Sequence, residues 1–284
     1  MEGPRGWIRG PGSKGGGEGG EKHFLRAGEA PATFLTFSHP MDPAEYTKLA
    51  QVEADHWYYA GKRDIVRHWI LRARPPAAAD SLLDCGAGTG LFAQEMAAHC
   101  QVRVLDDHEE ALQILRTRFR PDQILSLAGD QVPLPDGSLE YVTALDVLEH
   151  VPDDAAVVRG FHRLLKPGGL AVVTVPAGMA LWSDWDVVLH HFRRYDRRQL
   201  AALFPDSEWE IVQHVYTNVA AYPAVWLVRR WRGWFPSPAG GERSEDKLPS
   251  PLVNRVLRWL FVTPARGRFP WPFGVSLLLV ARRR

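Results

Sequence analysis

Carboxylates and imidazoles standing at the ends of apolar runs carry the first chemical signal in this sequence. Leu82-Leu83-Asp84-Cys85 leads into Gly86-Ala87-Gly88-Thr89-Gly90, so an acid stands beside a turn with Gly at three alternating positions. Glycine has no Cβ, which lets the backbone turn sharply and a ligand come close. A strand, a Gly-rich turn and a helix in this order hold nucleotide-like groups at the carboxyl edge of a parallel sheet. The amides of Gly86, Ala87, Gly88 and Gly90 suit a carboxylate, and Asp84 suits an ammonium, directly or through water. A second apolar run, Val102-Arg103-Val104-Leu105, ends at Asp106-Asp107. A carboxylate there can accept both hydroxyls of a ribose. Asp106 and Asp107 are both candidates, and Asp107 could instead cap the next helix. Farther on, Asp186, His191 and Tyr195 fall within ten residues. They offer a base, an orienting carboxylate and a hydroxyl for contact with an acceptor. His150 is a second candidate base, and a structural hydrogen bond is the competing role for it.

These groups need a scaffold. From residue 81 strand-like and helix-like segments alternate, with strands expected at 81–85, 102–106, 123–127, 140–145 and 170–176 and helices at about 90–99, 108–119 and 153–165. This rhythm implies an α/β fold built on a doubly wound parallel sheet. Two later strands are expected at 209–217 and 274–282. Upstream, apolar positions from Leu49 to Ile70 read as one helical run over 43–73, opened by Asp42-Pro43 and closed by Pro75-Pro76.

The spacing narrows the cofactor. A dinucleotide fingerprint would put its third Gly at position 91, which is Leu91. Asp-x-Gly-x-Gly-x-Gly at 84–90, the acids at 106–107, Gly129-Asp130-Gln131 and Ala144-Leu145-Asp146-Val147-Leu148-Glu149-His150 together resemble the class I S-adenosylmethionine-dependent methyltransferases. The core is similar to that of ubiquinone-biosynthesis O-methyltransferases and of bacterial type 11/12 methyltransferase domains. The resemblance implies a Rossmann-like seven-stranded sheet whose last two strands form an antiparallel edge pair. It implies S-adenosylmethionine as cofactor, with S-adenosylhomocysteine as product. It places Asp130 at the adenine amino group, Gln131 among the cofactor-binding residues and the Leu145 backbone at the sulfonium. Residues 53–63 and 181–195 resemble two signatures of one bacterial branch, which would put Arg63 on the cofactor carboxylate and His191, Asp186 and Tyr195 at the acceptor. The implied reaction is methyl transfer to a small-molecule acceptor, namely the oxygen of an apolar, quinone-like, lipid-linked or glycan-type compound. A non-catalytic cofactor-binding scaffold whose insertion docks a partner is the alternative. No metal ligand is assigned, although a cation on Asp146 or Asp153 stays open.

The expected organisation is a Gly-rich disordered tail over 1–40, a helical cap over 41–80, a core over 81–218, a helical insertion or lid over 219–273 and a last core strand over 274–284. Nine of the first 20 residues are Gly, and Met41 is an alternative start. The insertion reads as an aromatic-rich helix over 219–235, a polar loop over 236–250 and a helix over 251–262. Aromatic and basic residues in 219–235 suit peripheral membrane contact or a lid, and equally a packed helix with snorkelling arginines. Residues 217–284 hold 12 Lys or Arg against three acids. The net charge of +1 gives no global field for nucleic acid, and no nucleic-acid partner is expected. Two cysteines make no disulfide framework, and no apolar run is long enough to span a bilayer. A cytoplasmic, or membrane-peripheral, location is the expectation; oligomeric state is left open.

Overall fold

Seven strands form one sheet in the order β3-β2-β1-β4-β5-β7-β6. The structure is a computed structural model, and it describes residues 49–128, 131–232, 248–267 and 269–284. The tail, the Met41 start, Asp130 and most of the 236–250 loop lie outside the described residues. The strands are β1 (Ser81–Cys85), β2 (Gln101–Leu105), β3 (Ile124–Leu125), β4 (Leu139–Leu145), β5 (Leu165–Pro176), β6 (Trp209–Thr217) and β7 (Ser276–Arg283). β1 to β5 pair in parallel, and β7 runs antiparallel to both β5 and β6. The chain winds outward in one direction through β2 and β3, then reverses across β1 to β4. Ligands of such sheets sit where the order reverses, outside the carboxyl ends of the strands. Asp84, Asp106 and Leu145 all stand at that edge.

The central strands are apolar on both faces because helices cover both. On one face Leu83, Val142, Ala144 and Val173 pack with Val157, Phe161 and Leu164 of α4 (Asp154–Leu164). On the other, Leu82, Tyr141, Val172 and Leu278 pack with Ile65, Val66, Trp69 and Ile70 of α1 (Trp57–Ala73). α2 (Leu91–Met96) and α3 (Glu109–Arg118) cross between the first strands. Asp153 caps α4 by accepting from Ala156 N at 2.8 Å.

The expected helix over 43–73 is broken. Residues 49–52 are helical, His56 adopts an extended backbone as N-cap, and α1 starts at Trp57. The Arg63 guanidinium fills the break: Nη1 donates to Glu53 O at 2.7 Å and Nη2 to Ala54 O at 3.2 Å. β3 shrinks to two residues because only Ile124 and Leu125 pair with β2. β5 starts earlier than 170, since Leu165 already pairs with Leu139 ahead of a register shift.

Between β6 and β7 lie α7 (Tyr222–Arg232) and α8 (Pro251–Arg266). The short helices α5 (Asp184–Val188) and α6 (Arg197–Ala202) follow β5. α8 belongs to the core. Phe261, Val262 and Ala265 join the cluster around Trp69, whose Nε1 donates to Ala265 O at 3.0 Å. The Phe261 ring stacks on Tyr58, and Gly61 makes room for it: a Cβ there would come within 2.6 Å of Phe261.

Candidate active site

The Gly turn has the conformation its sequence demands. Gly86, Gly88 and Gly90 have φ of 65°, 57° and 77°, values that side-chain-bearing residues rarely adopt. Gly90 also lies against α3, where a Cβ would come within 2.5 Å of Leu115 and 2.6 Å of Phe119. At Gly88 a Cβ would meet nothing within 4 Å, so the space over the turn is open. The expected use of the turn amides needs correction. Gly86 N and Ala87 N donate to Leu105 O, Gly90 N to Ala87 O, and Gly88 N to Asp106 Oδ2 at 2.8 Å. The turn therefore contributes room and close approach, while the Gly86, Ala87 and Gly88 amides tie it to the end of β2 and the Gly90 amide closes it on Ala87.

Asp106 is buried, and its second oxygen accepts from His108 N at 3.1 Å. Asp107 is more exposed and lies 3.0 Å from His108 Nδ1. Hydrogen bonds that its ring donates to the two carboxylates push His108 up to about 10, which favours the imidazolium at neutral pH. Sequence reasoning missed His108; its position two residues after Asp106, ahead of a helix, was the available sign. Asp84 is buried beside Thr143, whose hydroxyl donates to Oδ1 at 2.6 Å. Burial, with the nearby Asp106 charge, pushes Asp84 up to about 7. A buried carboxyl of this kind is suited to an incoming ammonium. The open turn and Asp84 together fit the amino-acid end of S-adenosylmethionine. Gln131 is exposed, and its backbone bridges to Ala128.

Arg63 does not fit its expected role. Besides Glu53 O and Ala54 O it binds Glu95 through Nε at 2.8 Å, so each guanidinium nitrogen has a partner inside the protein. The neighbouring basic residue reaches the site instead. Lys62 pairs with Asp146, which sits one residue past β4 with a φ of 57° and accepts from Thr174 Oγ1 at 2.8 Å. The pairing with Lys62 and the Thr174 bond outweigh burial and hold the Asp146 carboxyl below its ordinary range. Glu53 also serves the turn, accepting from Thr89 Oγ1 at 2.5 Å and from Arg118 at 3.1 Å.

Two loops meet at the acceptor side. One is the 3-10 turn Leu148–His150 after β4; the other is residues 190–195 after β5. Phe192 N donates to Glu149 O at 2.8 Å, which locks the loops together. His191 Nδ1 lies 2.9 Å from Asp186 Oδ1, and the His150 and His191 rings meet edge-on at 4.7 Å. Asp186 is nearly fully buried, and it also accepts from Arg194 at 2.7 Å, Ser183 N at 2.9 Å and Arg229 of α7 at 3.4 Å. Bonds from His191 and Arg194 outweigh burial and drive its carboxyl far below the usual range. Burial and the adjacent His191 push His150 down to about 4. Glu149 is also buried, with neither carboxyl oxygen hydrogen-bonded; burial and the Asp146 charge push it well up. Donor atoms of Glu149, His150 and His191 lie within 4.8 Å of one another, as do those of Asp106, Asp107 and His108. The first set has the oxygen and nitrogen donors to hold a divalent cation, which the sequence reading did not assign.

Tyr195 also departs from its expected role as an acceptor contact. It is buried, its hydroxyl lies 2.7 Å from Asp154 Oδ2 and 3.1 Å from Leu148 O, and it anchors the 3-10 turn from below. Arg193 does related work, binding Pro152 O and Asp154. The Arg-Arg-Tyr segment holds the loop; of its neighbours, His191 and Asp186 form the expected pair.

A family model described as a methyltransferase domain matches residues 56–214. The ubiquinone biosynthesis O-methyltransferase of Xanthomonas oryzae pv. oryzae is 35% identical over 169 residues, covering 51% of this chain and 69% of that protein. The protein of the same name from Acinetobacter baylyi is 27% identical over 143 residues, covering 45% and 60%. Matches to three such relatives span 60% to 62% of their length. Two solved structures share the fold. A Haemonchus contortus phosphoethanolamine N-methyltransferase with S-adenosylhomocysteine gives a TM-score of 0.53 at 16% identity, over 85% of this chain and 57% of that one. A Streptomyces coelicolor geranyl diphosphate C-methyltransferase gives 0.53 at 14% identity, over 80% and 76%. The chain belongs to the methyltransferase-domain family, in the class I, S-adenosylmethionine-dependent group.

Proposed function

We propose that this chain moves the methyl group of S-adenosylmethionine to an oxygen of an apolar small molecule, with His191 as general base. The observation that carries this reading is the 2.9 Å contact between His191 Nδ1 and the buried Asp186, at the end of the sheet where the cofactor turn opens. When bound, the cofactor supplies an activated sulfonium methyl. Asp84 takes its ammonium, and Asp106 or Asp107 its ribose. Asp186 holds the imidazole in one tautomer, with Nδ1–H on the carboxylate, leaving Nε2 to accept a hydroxyl proton. His150, pushed down to about 4, is a poor base at neutral pH. Membership of a family with ubiquinone biosynthesis O-methyltransferase relatives supports oxygen as the acceptor atom.

The test is incubation with methyl-labelled S-adenosylmethionine and an extract of the source cells, followed by organic and aqueous partition. Label in the organic phase, lost in His191→Ala with S-adenosylhomocysteine affinity unchanged, is the expected result. Label confined to water-soluble products would overturn the apolar acceptor. Wild-type turnover in His191→Ala would remove the base.

A further inference from the structure

α8 has two faces of different kinds. Its inner face carries Asn254, Arg258, Phe261, Val262 and Ala265, spaced to fall on one side of a helix. Asn254 bonds Trp57 N and Asp55 O, Arg258 pairs with Asp64 at 2.6 Å, and the three apolar residues enter the core. This face is complete. The opposite side carries Leu252, Val256 and Trp259 at i, i+4 and i+7, with Val253 beside them. Leu252 is 70% exposed, Trp259 62% and Val256 47%. Large apolar side chains that line up in this way mark a contact surface, whereas scattered ones need no explanation.

Charge identifies the occupant. Neither α7 nor α8 carries an acid; of their arginines, Arg229, Arg258 and Arg266 are engaged within the protein by Asp186, Asp64 and the Asp64 carbonyl, while Arg230 and Arg255 are exposed. Arg255 borders the apolar stripe and is exposed. α7 adds exposed Trp226 and Leu227. A symmetric pairing of two copies through α8 would offer Arg255 no acid to meet, since the helix carries none. An anionic phospholipid surface instead matches the basic rim and takes the apolar residues. No helix among the described residues is long and apolar enough to cross a membrane. A helix already packed on its inner face can lie in the interface with its outer stripe submerged.

We propose that the outer face of α8 docks the protein on anionic phospholipid bilayers through Leu252, Val256 and Trp259, with Arg255 at the headgroups. The sequence alone drew attention to 219–235; the longer exposed stripe is on the second helix of the insertion. The proposal is independent of the methyl acceptor, because vesicles without any acceptor test it.

The experiment is flotation of the full chain with vesicles of phosphatidylcholine alone or mixed with phosphatidylglycerol. Wild type should float with the mixed vesicles, remain largely behind with phosphatidylcholine, and dissociate as salt rises. Leu252→Ser/Val256→Ser/Trp259→Ser should lose about tenfold in partitioning, and Arg255→Glu should weaken binding to the mixed vesicles selectively. Unchanged thermal protection by S-adenosylhomocysteine would show that the variants are folded. Equal partitioning of wild type and the triple variant would overturn the proposal, as would failure of wild type to float. So would a wild-type dimer in sedimentation that the triple variant converts to monomer, which would give the face to a second copy.

Discussion

Asp84→Asn separates what the buried carboxyl does for the fold from what it does for the cofactor. In the unfolded chain Asp84 ionises near pH 4, whereas in the folded protein it keeps its proton to about pH 7. The folded state thus binds more protons across that window, so stability falls as pH rises through it and is flat above. This is the reverse of the usual salt-bridged aspartate. The interval from 3.8 to about 7 corresponds to about 4 kcal/mol lost between pH 4 and pH 7. Asn keeps an oxygen to accept from Thr143 but brings an amide that needs its own partner, at a cost of about 1–3 kcal/mol. The variant should be the less stable protein near pH 4 and the more stable one by about 1–3 kcal/mol near pH 8. Urea unfolding of both proteins at pH values through the window measures the difference directly. The same variant should bind S-adenosylhomocysteine at least about tenfold more weakly, because a neutral amide cannot pair with the ammonium. In wild type, binding near pH 7 should release a fraction of a proton, visible in calorimetry as a dependence on buffer ionisation enthalpy. A stability difference that is flat from pH 4 to pH 8, or equal affinity in the two proteins, would refute the reasoning.

Three further substitutions test other parts of the site. Gly90→Ala forces a side chain into a φ of 77° and within 2.5 Å of Leu115, so it should cost about 2–4 kcal/mol and weaken S-adenosylhomocysteine binding, measured by unfolding and calorimetry. Asp186→Asn strands the buried Arg194 cation and should destabilise by about 3–5 kcal/mol; a wild-type melting curve would show that the carboxylate is not the hub the contacts make it. Tyr195→Phe should cost about 1–3 kcal/mol in urea unfolding, through Asp154 and the Leu148 carbonyl, while turnover per folded molecule is kept. A collapse in turnover without loss of stability would return Tyr195 to the acceptor.

What was legible in the sequence was local. β1 and β6 begin and end where their apolar runs do, and the Gly turn has the backbone that three alternating glycines require. β7 and the antiparallel edge followed from the resemblance together with the apolar run. The misread features are set by tertiary partners that local periodicity does not mark. The break ahead of Trp57 exists because Arg63 collects the carbonyls of Glu53 and Ala54, and nothing in the 43–73 periodicity marks it. One position of helical phase decides whether Lys62 or Arg63 faces the end of β4, and the phase of α1 is set only by packing on the sheet. The contact between Lys62 and Asp146 spans 84 positions. Glu149 looked like part of a motif; that it is buried without a hydrogen bond is a property of the closed loops alone.

The acceptor side is held by charges drawn from separate elements. Asp146 is fixed by Lys62 of α1, and Asp186 by Arg194 of its own loop and Arg229 of α7. The loop bearing His191 is tied to the loop bearing His150 by one backbone bond and by the Tyr195 anchor. Of these ties, the one from Arg229 brings a residue of the insertion onto the His191–Asp186 pair, while the one from Lys62 brings the cap onto Asp146. Arg229 brings α7 into contact with the carboxylate that orients His191. A shift of α7 would remove one positive charge from Asp186 Oδ2 and leave that oxygen to Ser183, while His191 and Arg194 keep Oδ1. The aromatic-rich helix is thereby coupled to the proposed base through one carboxylate, whichever acceptor the site receives. A lid that only covered the site would have no reason to place an arginine on that oxygen.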